Sequence, residues 1–346
     1  MILLDLLVIL LSFILAYIPV FLYITLVWFI DRYDREPIFL VLVAFIWGAF
    51  GSAIFSMIFE VLLSLPLLFF HESVSYVVTS VLIAPPVEEC AKALILKILF
   101  FYYKFDNLTD GIVYGAIVGF GFSATENLVY FISTYFEEGL GIWILTVIFR
   151  LMIASLAHGF LTAITGAGLG IAKTTRDEKM KFLLPPITLF VAISLHSLSN
   201  LTVVLTKFFS VVFILFDLFI VAAGTLTILA VLFVALERES QLLRRELLTE
   251  LREGFISESE YNIVHHYFLR RKATRIISKK YGREKSKQLS KLLELETRLA
   301  FEKDRLSREV VSQRVEERVD GIRADISEAR EKLHEIIDEL GDDISQ

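Results

Sequence analysis

One cysteine, Cys90, occurs in 346 residues. That excludes an intrachain disulfide and any cysteine-cluster metal site. Positive charge is sparse over most of the chain. Of 34 Lys and Arg, residues 1–236 hold 11, with 16 of the 40 Asp and Glu. The formal net charge of −6 gives no reason to expect a nucleic-acid partner. The N-terminus lacks the basic stretch that opens a signal peptide, so the first apolar run is expected to be a retained span.

Apolar residues fill the space that charge leaves. They make up 55% of the chain, above the roughly 45–50% of soluble domains. A bilayer crossing takes roughly 17–25 apolar residues. Seven segments meet that length, near 3–30, 38–70, 75–103, 108–136, 141–172, 182–204 and 208–236. The second is long enough to tilt, or to hold a span and an interfacial piece around Pro66, which would make eight. The sequence therefore predicts an all-α, polytopic transmembrane bundle over 1–236 and a charged helical cytoplasmic tail over 237–346. A soluble enzyme and a secreted disulfide scaffold are excluded. Lys and Arg gather in loops 31–37, 103–107 and 172–181 and after Leu236. By the charge bias of cytoplasmic loops this predicts seven spans, the N-terminus outside and the tail in the cytoplasm of a prokaryotic cell.

In the tail, Leu292, Leu293, Leu295 and Leu299 lead to Leu306, Val310, Val311 and Val315 at helical spacing. This predicts amphipathic helices, as a hairpin or coiled coil able to self-associate or to recruit substrate. Residues 247–261 read as a helix, a break at Gly254 and a new start at Ser257 to Glu260. Arg270, Arg271, Lys272, Lys279 and Lys280 read as a solvated helical face, with contact to anionic lipid as the alternative.

Several ionisable groups sit at bilayer depth. Glu88, Glu89 and Lys92 lie on the third segment, after Pro85 and Pro86. Asp110, Glu126 and Asn127 are on the fourth, Arg150 and His158 on the fifth, His196 and Asn200 on the sixth. Each charge at a helix centre costs roughly 2.5–3.5 kcal/mol unless paired or hydrated, so such a set marks a functional site. Glu88 and Lys92, and His196 and Asn200, are four residues apart and share a face. Glu88, His158 and His196 fall near mid-depth on three helices. The double proline weakens the helix just before the glutamates, which is tolerated only against protein or a water-filled cavity. Gly111, Gly115 and Gly119 recur every four residues, a pattern that lets helices approach closely. Asp110 and Arg150 read first as structural.

At these residues the sequence resembles the PrsW family of intramembrane proteases, grouped with the CAAX prenyl proteases. The resemblance rests on Asp31 to Pro37, on Glu88-Glu89 with Lys92, and on Asp110 to Gly115 followed by Gly121-Phe122 and Glu126-Asn127. His158 and then His196 with Asn200 complete it, over about residues 31–200. In the CAAX branch the second motif usually has His where this chain has Glu126, so detailed roles do not transfer between branches. The resemblance implies cleavage of a membrane-anchored protein, such as an anti-sigma factor. It implies Glu88 or Glu89 as the base that activates water, with His158 and His196 polarising the carbonyl or protonating the amine. Asn200 would donate to the oxyanion. Glu126 and Asn127 would order the water, with Lys92, Asp110 and Phe122 as supporting partners. Metal-free glutamate chemistry is expected. The alternative is Zn²⁺ on Glu89, His158 and His196. Two other classes fit the same residues: a proton-coupled transporter and a non-catalytic binding protein.

Overall fold

Long apolar runs have one way to satisfy their backbone in lipid, which is to close every hydrogen bond within a helix. The computed structural model follows that rule. It describes residues 2–102, 104–308, 313–333 and 336, and among them there is no strand. The helices are α1 Ile2–Ile30, α2 Ile38–Phe69, α3 72–100, α4 Leu108–Glu138, α5 Leu140–Thr174, α6 Glu178–Phe208 and α7 Phe213–Arg252. After them come α8 Glu258–Val264, α9 Tyr267–Tyr281, α10 Arg283–Arg308 and α11 Gln313–Glu331. Six helices are long and apolar enough to cross a membrane: α1, α2, α4, α5, α6 and α7. The chain is an integral membrane protein. The helix not among the six, α3, is the one that carries Glu88, Glu89, Lys92 and Lys97. The expected end of its segment at Tyr103, like Val310 and Val311 of the tail, lies outside the described residues. The helix that begins at Phe213 runs on past Leu236, because the Glu, Arg, Gln and Leu that follow are strong helix formers.

The residues group into two compact units, 1–31 with 36–233, and 32–35 with 234–346. In the first, α4 is the central helix, with every residue from Thr109 to Ala124 buried. Its glycine stripe lies on α5. A Cβ at Gly111 would sit 2.1 Å from the Gly166 carbonyl, at Gly115 2.6 Å from that of Thr162, and at Gly119 2.1 Å from that of His158. Only hydrogen fits there, so the two backbones meet directly. The start of α4 is fixed by a capping box, in which Asp110 accepts from Asn107 N and the Asn107 side chain accepts from Asp110 N. Glu36 accepts from the Tyr114 hydroxyl nearby.

Three membrane helices contain a π-helical turn: Trp47–Ser52 in α2, Thr79–Ile83 in α3 and Arg150–Ala154 in α5. Such turns recur at functional sites. The one in α3 has a cause in the sequence. Pro85 and Pro86 occupy the first turn of Ala84–Phe100, where a missing N–H costs little. The preceding turn bears the loss instead. Ala84 N bonds Thr79 O, five residues back, and in that register the partner of Ser80 O would be Pro85, which has no N–H.

The second unit has its own core, built from Leu243 and Leu247 of α7, Ile263 and Val264 of α8, and Ala273 and Ile277 of α9. Leu289 to Leu299 of α10 and Val319, Ile322 and Ile326 of α11 complete it, and Tyr33 is buried among them. The tail leucines 292, 293, 295 and 299 are all buried. As the sequence indicates, the chain breaks at Gly254, with φ +71°, and restarts at a Ser257–Glu260 capping box.

Candidate functional site

The site lies in the first unit, where α3, α4, α5 and α6 meet. Helical spacing puts Glu88, Glu89 and Lys92 on one buried side of α3. Lys92 Nζ donates to Glu89 Oε1 at 2.8 Å and to Glu88 Oε2 at 3.2 Å. It also lies 3.0 Å from His158 Nδ1 and 3.8 Å above the Phe122 ring. Glu89 is fully enclosed: Thr162 Oγ1 donates to its second oxygen at 3.3 Å, and His196 Nδ1 lies 3.0 Å from its first. Glu88 faces a cavity of about 390 Å³, whose wall also includes Glu126, His158, His196 and Asn200. Its Oε2 stands 3.9 Å from His196 Nε2 and 4.0 Å from His158 Nδ1.

On α4, Glu126 Oε2 is 2.7 Å from His158 Nε2 and accepts from Arg150 Nη2 at 2.5 Å. Arg150 Nε donates to Asn127 Oδ1 at 2.8 Å, and Asn127 Nδ2 donates to Ser155 Oγ at 2.9 Å. Arg150 therefore locks Glu126 and Asn127 against α5. The imidazoles of His158 and His196 pack edge to face, with centroids 5.1 Å apart. Three carboxylates and two fixed cations, Lys92 and Arg150, make up this network. One negative charge is left over, which a protonated histidine or a bound cation offsets.

The fold thus brings together Glu88, Glu89, Lys92, Phe122, Glu126, His158 and His196. Asn200 lines the cavity, but its amide donates at 2.9 Å to Ser80 O, the carbonyl that Pro85 leaves without a donor. Asn127 is buried behind Arg150, and Asp110 stands apart in the capping box. The metal set named from sequence included Glu89. In the structure it is Glu88 that shares an open space with both histidines. The sequence reading passed over Glu60 of α2 and Asp217 of α7, two carboxylates on the cavity wall. Each stands alone in an apolar run, which is signal enough. Asp217 accepts from Ser199 of α6.

Among the described residues, Glu88, His158 and His196 form a group whose ligand atoms all lie within 4.8 Å of one another. A polytopic helical membrane protein with a His₂Glu group at the wall of a cavity among its helices has the parts an intramembrane hydrolase needs. The model of the PrsW family, described as intramembrane metalloprotease, matches residues 36–235, and the chain belongs to that family. A curated protease PrsW from Clostridioides difficile (strain 630) is 35% identical over 122 residues, 35% of this chain and 50% of the relative. One from Bacillus subtilis (strain 168) is 32% identical over 157 residues, 43% of this chain and 62% of the relative. One from Oceanobacillus iheyensis is 29% identical over 197 residues, 52% of this chain and 81% of the relative. The chain spans about half the length of the first of these relatives. No solved structure matches it.

The family description implies a metal, and the donor set fits one. Two imidazoles and a carboxylate are the ligands of many catalytic zinc sites. Each histidine also has a carboxylate on its other ring nitrogen, Glu126 for His158 and Glu89 for His196. That backing fixes the tautomer and raises ligand basicity. Against it, Lys92 and a cation would compete for His158 Nδ1.

Proposed function

We propose that this chain is an endopeptidase that hydrolyses a peptide bond of a membrane-anchored protein at the Glu88–His158–His196 group. The observation that carries this is the backing of both histidines by separate carboxylates while their facing nitrogens share a cavity with Glu88. Glu88, His158 and His196 would hold a divalent cation such as Zn²⁺. Bound there, it would supply Lewis acidity and lower the pKa of water. Arg150 keeps Glu126 on His158, and Lys92 keeps Glu89 on His196, so both rings hold their orientation without further cost at the moment of reaction. The cavity admits the water that hydrolysis consumes. The remaining N–H of the Asn200 amide is free to donate to a substrate carbonyl, since Ser80 O takes only one.

A metal-free version has its own support, the 3.0 Å contact of Lys92 with His158. There Glu88 is the base, and His158 or His196 delivers the proton to the leaving amine. Elemental analysis of the purified full chain separates the two. The metal version gives about one equivalent of zinc in the wild type, little in Glu88→Gln or His196→Asn, and activity lost to a strong chelator. Metal-free protein with chelator-resistant cleavage reverses the choice.

The substrate is a membrane-anchored regulator such as an anti-sigma factor, and the tail over 237–346 is its cytoplasmic recruiting or self-associating unit. With α3 as a seventh crossing beside the six long apolar helices, loops rich in Lys and Arg support an outside N-terminus and a cytoplasmic tail. Cleavage and assembly unchanged without residues 262–346 would refute the role given to the tail.

A further inference from the structure

The second unit contains a concavity of about 330 Å³ that the proposed reaction does not use. Four arginines line it, Arg32, Arg35, Arg270 and Arg271, against two carboxylates, Asp34 and Glu294. Its wall comes from three places. Residues 32–35 belong to the loop 31–37 between α1 and α2, residues 267–274 open α9, and Ser290, Leu293 and Glu294 belong to α10. The loop is pinned: the Tyr33 hydroxyl donates to His265 O at 3.0 Å, and the Arg32 guanidinium lies 4.8 Å from the Tyr267 ring centre. Arg32 is therefore held in place.

Arg270 is the informative member. It is half-buried. Among the described residues, its one hydrogen bond runs from Nη1 to Thr297 Oγ1 at 3.3 Å, the Tyr33 ring centre lies 5.9 Å from its guanidinium, and no carboxylate is within ion-pair distance. Two other half-buried arginines of this unit are matched. Arg323 donates to Glu250 at 2.7 Å and Arg330 to Glu260 at 2.7 Å. Burial pulls the Arg270 guanidinium below its ordinary pKa, the direction for a cation short of a partner. Among the described residues, four of its five donors have no hydrogen-bond acceptor. The first turn of α9 adds to the field. It starts at His266 with no side-chain cap, and Tyr267 of that turn lines the same wall.

We propose that this concavity binds the phosphate of an anionic phospholipid. Guanidinium forks match phosphate oxygens two at a time, and the net charge of the wall favours an anionic over a zwitterionic headgroup. Residues 32–35 lie in the seven-residue connection 31–37 between two helices long enough to cross a membrane, so chain connectivity keeps this wall within reach of headgroup phosphates. A bound lipid would tie loop 32–35 to the start of α9.

The test is native mass spectrometry of the full chain in neutral detergent, titrated separately with phosphatidylglycerol, phosphatidylcholine and inorganic phosphate. Phosphatidylglycerol is expected to bind more tightly than phosphatidylcholine. Arg270→Gln and, separately, the exposed Arg271→Gln are each expected to weaken it by about fivefold. Arg271→Gln keeps the test valid if Arg270→Gln fails to fold. Lys279→Gln, on the same helix beyond the pocket, should bind as wild type. Equal binding of the two lipids, full retention by the arginine variants, or an equal loss in Lys279→Gln overturns the proposal. Displacement of the lipid by inorganic phosphate, with the same dependence on Arg270 and Arg271, would overturn the lipid source and assign the pocket to a soluble phosphate.

Discussion

Replacing Gly119 with alanine tests the link between helix packing and the site. The added Cβ would lie 2.1 Å from the His158 carbonyl oxygen and 2.6 Å from its carbon. Ordinary contact begins near 3.4 Å, so α4 and α5 would have to part locally by about 1.3 Å. Both neighbours are backbone and cannot swing aside. Overpacking of this kind costs about 1–3 kcal/mol. The displacement also falls on the site. Glu126 sits on the same helix as Gly119, and His158 supplies both the obstructing carbonyl and the ring 2.7 Å from Glu126. Misplacement of about 1 Å lowers a catalysed rate by about a hundredfold. The assay compares Gly119→Ala with Gly141→Ala, where a Cβ meets nothing within 4 Å. Purified chains would be heated in detergent micelles and their bound zinc measured. Gly119→Ala should unfold earlier and bind zinc about 10–100-fold more weakly, as when a ligand's supporting contact is lost. Gly141→Ala should match wild type in both. Equal behaviour of the two variants would refute the close approach of α4 and α5.

Further predictions concern charge. Arg150→Met removes the donor to Glu126 and Asn127 and is expected to lower zinc affinity about 10–100-fold without unfolding the chain, read by metal titration. Glu296 of the second unit is buried, with Arg330 Nη2 3.8 Å from one oxygen, and burial, together with the neighbouring Glu260 carboxylate, raises its pKa well above the ordinary carboxylate value. The raised pKa means that ionising Glu296 favours unfolding. The cost is absent below about pH 4.3 and grows as pH rises above it. Glu296→Gln should therefore stabilise the second unit at pH 7–8 and leave it unchanged near pH 4, read by hydrogen exchange on α10. Glu250, which accepts from Arg323 and Lys303, has the opposite sign. Burial alone would raise its pKa, but those partners outweigh burial and lower it. Glu250→Gln should destabilise the unit at neutral pH, and the difference should shrink as pH falls below the carboxylate range.

Much of the fold was legible because charge is so unevenly spread. The segments read from hydropathy correspond to α1 to α7, and the four-residue glycine spacing marks the face of α4 that meets α5. The polar cluster was legible for the same reason: Glu88, Glu126, His158 and His196 have no business in hydrocarbon unless they meet. What stayed hidden depends on contacts between distant segments. The engagement of Asn200 with Ser80 O follows from a π-helical turn that Pro85 and Pro86 impose upstream of themselves. That turn does not register in hydropathy. Arg150 read as structural because its partners on α4 are more than twenty residues away. Which of two adjacent glutamates faces the cavity is a matter of helix rotation, and both Glu88 and Glu89 satisfy the spacing rule with Lys92. Glu60 and Asp217 belong to no multi-residue motif, each being a lone carboxylate in an apolar run. The burial of Tyr33 in the core of the second unit joins positions over two hundred residues apart.

The most direct measurement compares the N-termini of membrane proteins in host cells that carry the wild-type chain or Glu88→Gln at equal abundance. The account predicts new termini in or beside membrane anchors, present with the wild type and absent with the variant. Identical termini from the two strains, with both chains folded and abundant under several stresses, would contradict peptide hydrolysis at Glu88, His158 and His196.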